Sequence, residues 1–193
     1  MSRIITPGIP DDMFERGDVP ITKEEIRSIV MSKLRLKENS NVLDIGAGTG
    51  SVTVECALAS RNGTVYSFEK NSAALTLIRK NIKKFGTGNV VVIEGEAPGT
   101  LEESGSFDRV FIGGSGGNIT GILDFVHLNM EDEGRIVITA ITLDTLIETR
   151  EFFKKLNYRH ETVQVSVAKV TDAGGHSMLK ALNPVFIISA ERN

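Results

Sequence analysis

The chain has one cysteine, Cys56, no tryptophan and five prolines in 193 residues, and only 6% of it is aromatic. A lone cysteine forms no internal disulfide and has no partners at zinc-site spacing, so a disulfide scaffold and a structural zinc fold are both excluded. Cys56 lies in an apolar helical stretch, Val-Thr-Val-Glu-Cys-Ala-Leu-Ala, where it reads as core filler. No apolar run approaches the roughly 18 residues of a membrane span. Prolines and a glycine interrupt Ser-Arg-Ile-Ile-Thr-Pro-Gly-Ile-Pro, where a secretory signal would need an unbroken apolar stretch. The expectation is a cytoplasmic protein without membrane contact. Excess positive charge is missing too: 22 basic residues stand against 25 acidic, a net charge of −3, which leaves no overall field to hold a phosphate backbone and disfavours nucleic acid as a partner. The densest basic group, Arg150, Lys154, Lys155 and Arg159, falls at helical spacing beside Phe152, Phe153 and Leu156 and reads as the wet face of an amphipathic helix.

What is present is enough apolar content, 40%, for one packed domain over residues 1–193. Thr22 to Leu34 opens with Thr-Lys-Glu-Glu, a capping-box pattern in which Thr22 caps and Glu25 reaches back, ahead of the stripe Ile26, Ile29, Val30 and Leu34. The same spacing recurs in Leu75, Ile78, Ile82 and Phe85, which stop at Gly86, and in Ile119, Ile122, Leu123 and Val126. Between and after these helices lie short runs, 42–45, 64–68, 90–93, 109–112 and 135–140, that are nearly all apolar and so read as strands buried on both faces. Such alternation predicts a doubly wound α/β fold with a mostly parallel sheet, whose ligands bind beyond the carboxyl ends of the strands. After residue 160 the alternation stops. Residues 161–170 and 185–190 predict an antiparallel closing pair, with 171–184 as an insertion between them.

The chemistry should therefore gather at strand ends. In Val-Leu-Asp-Ile-Gly-Ala-Gly-Thr-Gly, residues 42–50, a strand runs through Asp44 into Gly46, Ala47, Gly48, Thr49 and Gly50, then into a helix. Glycines there allow a tight turn and close approach of a ligand to bare backbone. The spacing is G-x-G-x-G, not the G-x-G-x-x-G of a dinucleotide site. Glu69 ends the next strand, where a carboxylate can accept both hydroxyls of a ribose. Glu96 and Ala97 follow the third strand, and Gly113, Gly114, Ser115, Gly116 and Gly117 follow the fourth, leaving an open floor of exposed amides that can hold carboxylates of a bound substrate. No cluster with metal-ligand spacing stands out.

The first of these loops resembles motif I of the class I methyltransferases. Residues 8–14 (Gly-Ile-Pro-Asp-Asp-Met-Phe), the Pro-Ile-Thr-Lys-Glu-Glu start at 20–25, Gly-Gly-Ser-Gly-Gly at 113–117, Arg-Ile-Val-Ile-Thr-Ala-Ile and Asn-Pro-Val-Phe-Ile-Ile extend the resemblance over nearly the whole chain. Together they are similar to the decarboxylating cobalt-precorrin (carbon-15) methyltransferases of the CbiT type. That resemblance implies a Rossmann-like, mostly parallel seven-stranded sheet with an antiparallel C-terminal strand. It also implies S-adenosyl-L-methionine as cofactor, contacted by Thr22, by 46–50, by Glu69 and by Ala97, with Glu96 beside it. The implied reaction is methylation of a tetrapyrrole at carbon 15, coupled to loss of carbon dioxide from the ring C acetate, in cobalamin biosynthesis. A homotetramer and a companion precorrin methyltransferase are further implications. Thr22 keeps two readings, a helix cap or a cofactor contact. No catalytic base is obligatory. His176 is a candidate general acid, set against an ordinary exposed loop residue, while His127 and His160 read as structural. Two other readings stay open: the same fold methylating RNA or protein, and a cofactor-binding subunit without turnover.

Overall fold

A computed structural model of the chain describes residues 6–192. The five apolar runs form parallel strands β1 (Val42–Ile45), β2 (Val65–Glu69), β3 (Val90–Glu94), β4 (Arg109–Ile112) and β5 (Arg135–Ala140). Four more strands follow, β6 (Arg159–Val165), β7 (Ala168–Ala173), β8 (His176–Ala181) and β9 (Val185–Glu191). The main sheet has seven strands in the order β3-β2-β1-β4-β5-β9-β6, with β9 antiparallel to both neighbours, the α/β arrangement expected for this chain. Strand order reverses direction between β1 and β4. The helices that follow these two strands pack in separate core clusters on the two sides of the sheet, which leaves a crevice at the strands' carboxyl ends.

Helices α1 (Glu24–Leu34), α2 (Ser51–Ala59) and α3 (Ser72–Phe85) precede β4 in the chain, and α4 (Ile119–Asn129) and α5 (Leu143–Lys155) follow it. Leu43, Ile45, Ile136 and Ile138 pack with Ile122, Val126 and Phe153 of α4 and α5. Their neighbours Val42 and Val137 pack with Val30, Leu34, Val52 and Cys56 of α1 and α2. Central strands thus have no wet face, which is why their sequences do not alternate. Phe153 is fully buried, and truncating such a side chain to alanine costs about 3–5 kcal/mol.

Several local expectations are corrected. β3 is an edge strand with Val91 exposed, so it is not buried on both faces. The capping box at Thr22 does not form: α1 starts at Glu24 with Lys23 as its N-cap and no side-chain cap. Arg27 instead takes the Thr22 carbonyl, and Glu25 pairs with Lys169 at 2.7 Å. Arg159 lies on β6, beyond the end of α5. Finally, the single strand expected over 161–170 divides into β6 and β7, and the 171–184 insertion is largely β-structured. β7 and β8 form a separate two-stranded hairpin turning through Gly174 and Gly175, whose φ values of 59° and 80° match a two-residue type I′ turn.

Candidate cofactor and acceptor cleft

A cleft of about 540 Å³ opens at the crevice between β1 and β4. Its walls come from the loop after β1 (Gly46, Ala47, Gly48), the end of β2 (Phe68, Glu69, Lys70), the loop after β3 (Gly95, Glu96, Ala97) and the loop after β4 (Gly113, Gly114, Ser115, Gly116). Residues 18–23 of the N-terminal segment, with Ile26, Thr139, Ile141 and Val185, complete it. Most of the residues singled out from sequence meet here. Asp44, Thr49, Gly50 and Gly117 are not part of the lining.

The loop after β1 is held by its own amides. Gly46 and Ala47 both donate to the Phe68 carbonyl, and Gly48 donates to Glu69 Oε2 at 2.9 Å. Glu69 Oε1 accepts from the amides of Lys70 and Asn71, so one carboxylate ties the glycine loop to the start of α3. With about four acceptor positions on a carboxylate, three used leave a place for a ligand hydroxyl. Gly46 is needed for a reason the sequence does not show. It sits at φ 71°, and a Cβ there would lie 2.5 Å from the Gly114 carbonyl oxygen and 2.8 Å from its nitrogen. The two glycine loops pack backbone to backbone.

Asp44 lies beneath this loop, fully buried, with Oδ2 accepting from Thr53 Oγ1 at 2.5 Å and Oδ1 without a partner. Burial pushes its carboxyl up to about 7; the Thr53 hydrogen bond opposes that, and the Glu69 charge reinforces it. Thr49 Oγ1 is likewise buried and unpartnered, next in the chain to Gly48 of the cleft wall.

Residues 8–23 form a strap laid over α1, α2 and α3, and its anchors are residues that sequence reasoning missed. Glu55 accepts from the amides of Gly8 and Ile9 and pairs with Arg27 at 2.5 Å; both side chains are buried. Arg27 also bonds the Ile9 and Thr22 carbonyls and stacks over Phe14, 4.8 Å from its ring centre. Asn81, with no exposed surface, bonds both backbone groups of Glu15 and the Thr49 carbonyl at 2.9 Å. The strap and the glycine loop are therefore fixed to the same side chain. A signal existed: Glu55 interrupts an otherwise apolar helix, and a buried charge needs a partner.

Thr22 lines the cleft and loses its cap reading. His127 bonds the Tyr158 hydroxyl and His160 the Tyr158 carbonyl, both structural roles. His176 opens β8 on the exposed hairpin and does not line the cleft. Among the described residues no group of three or more His, Cys, Asp or Glu is placed to hold a metal ion, and no helix is long and apolar enough to cross a membrane.

Residues 12–192 match the family model described as a precorrin methyltransferase domain. Over 193 residues the chain is 44% identical to a probable cobalt-precorrin-6B C(15)-methyltransferase (decarboxylating) of Saccharolobus solfataricus, with 97% of each chain covered. Among solved structures it is similar to precorrin-6y C5,15-methyltransferase from Geobacter metallireducens, at 42% identity and a TM-score of 0.91 over 97% of this chain and 99% of that one. It is also similar to precorrin 8w decarboxylase of Methanobacterium thermoautotrophicum, at 32% identity and a TM-score of 0.87 over 94% and 98%. A match of this length, on a fold with its cleft at the switch in strand order, means that the chain belongs to the precorrin methyltransferase family.

Proposed function

We propose that the chain transfers a methyl group from S-adenosyl-L-methionine to carbon 15 of a cobalt-precorrin, with decarboxylation of the ring C acetate, in cobalamin biosynthesis. The observation that carries this reading is the contact of Gly46 with Gly114, which makes a donor loop and an acceptor loop two walls of one cleft. The residues present fit the donor. A volume of about 540 Å³ suits a nucleoside-sized ligand. Glu69 retains acceptor capacity for a ribose hydroxyl, Ala97 and Phe68 supply apolar wall for an adenine beside Glu96, and Thr22 with 46–48 borders the tail. Asp44, Thr49 and Gly50 support that loop from below.

When bound, the sulfonium supplies an already activated methyl group. The protein's task is then to orient two reactants, which accounts for much of the rate in such transfers. The preset backbone of residues 46–48, its amides spent on Phe68 and Glu69, borders one reactant without rearrangement, the strap at 18–23 shields it from water, and residues 114–117 present amides to the other. For the second reaction, the bond between the acetate carbon and its carboxyl breaks, its electron pair enters the conjugated macrocycle, and a proton takes the vacated position. His176 lies outside the cleft of its own chain, and His176→Gln is expected to leave both reactions at full rate.

Anaerobic incubation with cobalt-precorrin-6B and methyl-labelled donor, read by mass spectrometry, should show one methyl gained and one carbon dioxide lost. Label transfer to tRNA or protein, or donor binding without any transfer, would contradict the proposal. Cytoplasmic location, a companion precorrin methyltransferase and a homotetramer belong to the same proposal. Val170 and Leu179 support the last, because they face each other across the hairpin at 65% and 75% exposure. A monomer in light scattering would remove it.

A further inference from the structure

The charged residues lining the cleft are Asp18, Lys23, Glu69, Lys70 and Glu96. A polyanionic acceptor approaching a chain of net charge −3 needs local cations, and only Lys23 and Lys70 in this set provide them. Lys23 is the N-cap of α1 and lies 3.6 Å from Asp11. Lys70 is placed differently. Its Nζ is 2.5 Å from Glu96 Oε1, so the ion pair bridges the loops after β2 and β3. A Cβ on Gly116 would lie 3.4 Å from Lys70 Nζ and 3.6 Å from Glu96 Oε1, which seats the pair against the loop after β4.

The root of Lys70 is fixed, because its amide donates to Glu69 Oε1. Its side chain is free to swing: Lys70 and Glu96 are 56% and 67% exposed. Exposed ion pairs are weakly held, and trading one carboxylate partner for another conserves the charge-assisted hydrogen bond while Glu96 turns to water. On the other side of β1 and β4 in the sheet order, Ile141 lines the same cleft with 76% of its surface exposed, an apolar rest for a ring face.

We infer that Lys70 is an acceptor-binding residue whose ammonium exchanges Glu96 for a carboxylate of the macrocycle, while Ile141 supports the ring. The inference rests on the acceptor reading above. A lysine suits it, since one rotatable cation on a long stem can follow a carboxylate that arrives on a flexible side chain.

Steady-state kinetics with cobalt-precorrin-6B and calorimetry with S-adenosylhomocysteine test it together. Lys70→Ala should raise the acceptor KM about tenfold and leave the Kd of S-adenosylhomocysteine within about twofold; Lys70→Arg should retain most of the affinity, and Lys70→Glu should lose more than Lys70→Ala. Ile141→Ser should raise the acceptor KM about threefold. An acceptor KM unchanged in Lys70→Ala, or a loss confined to the donor, would overturn the inference while leaving the proposed reaction standing. A wild-type chain that binds S-adenosylhomocysteine but leaves the macrocycle unchanged would instead remove the proposed reaction, and this inference with it.

Discussion

Residues 46–50 and residues 113–117 are both rich in glycine and both border the cleft, yet they use glycine for opposite purposes. In the first loop glycine is a packing requirement. Gly46 has the Gly114 backbone against it, and a Cβ on Gly50 would lie 3.1 Å from Ile78. In the second loop, a Cβ at Gly114 or Gly117 would meet nothing within 4 Å. Gly113 is the exception, since a Cβ there would lie 3.0 Å from Phe111 and 3.2 Å from the Gly46 carbonyl oxygen; beyond it the second loop is open, whereas the first is crowded and preset. Identical residue types thus carry different chemistry: a rigid wall for the donor and an accessible floor for the acceptor.

The contrast breaks most readily at Gly46. Gly46→Ala forces a side chain into the Gly114 backbone at a left-handed φ, and the expected loss is about 2–4 kcal/mol of stability, seen in thermal melts, with donor affinity down more than tenfold. Asn81→Ala comes next. It leaves the Thr49 carbonyl and the Glu15 backbone without their partner, so stability should fall by about 1–3 kcal/mol and donor affinity should weaken several-fold, in calorimetry, although residue 81 does not line the cleft.

Asp44→Asn sharpens the crowded side through pH. The folded carboxyl titrates at about 7, above its ordinary value near 4, so between these limits the folded chain holds a proton that the unfolded chain has released. Stability therefore falls as pH rises through that window and is level above it. Asparagine has no proton to lose, and its melting temperature should decline less than that of the wild type between pH 5 and pH 8. Gly114→Ala should have the smallest effect on the fold, within about 0.5 kcal/mol, because open space receives the methyl group.

How much of this was legible follows from the physics of each part. The central strands were readable because burial on both faces leaves unbroken apolar runs, and 42–45, 109–112 and 135–140 match β1, β4 and β5 residue for residue. Glu69 was readable because its strand ends there. The strap was not, apart from the hint of a charge at Glu55, since Glu55 and Asn81 act through partners 28 to 66 positions away and Arg27 reaches back 5 and 18 positions to backbone carbonyls that no local pattern marks. Exposed β7 and β8 lack the apolar run that marks a buried strand, although Gly174-Gly175 between them was a usable hairpin signal. Lys70 gave no signal of its own, because a lysine after a strand is ordinary until Gly116 and Glu96 are seen beside it.

The central claim is that a crowded donor loop and an open acceptor loop share one cleft, and paired calorimetry on Gly46→Ala and Gly114→Ala with S-adenosylhomocysteine tests it most directly. The account predicts affinity reduced at least about tenfold in Gly46→Ala and unchanged, within about twofold, in Gly114→Ala. Equal losses in the two variants, or full affinity in Gly46→Ala, would contradict it.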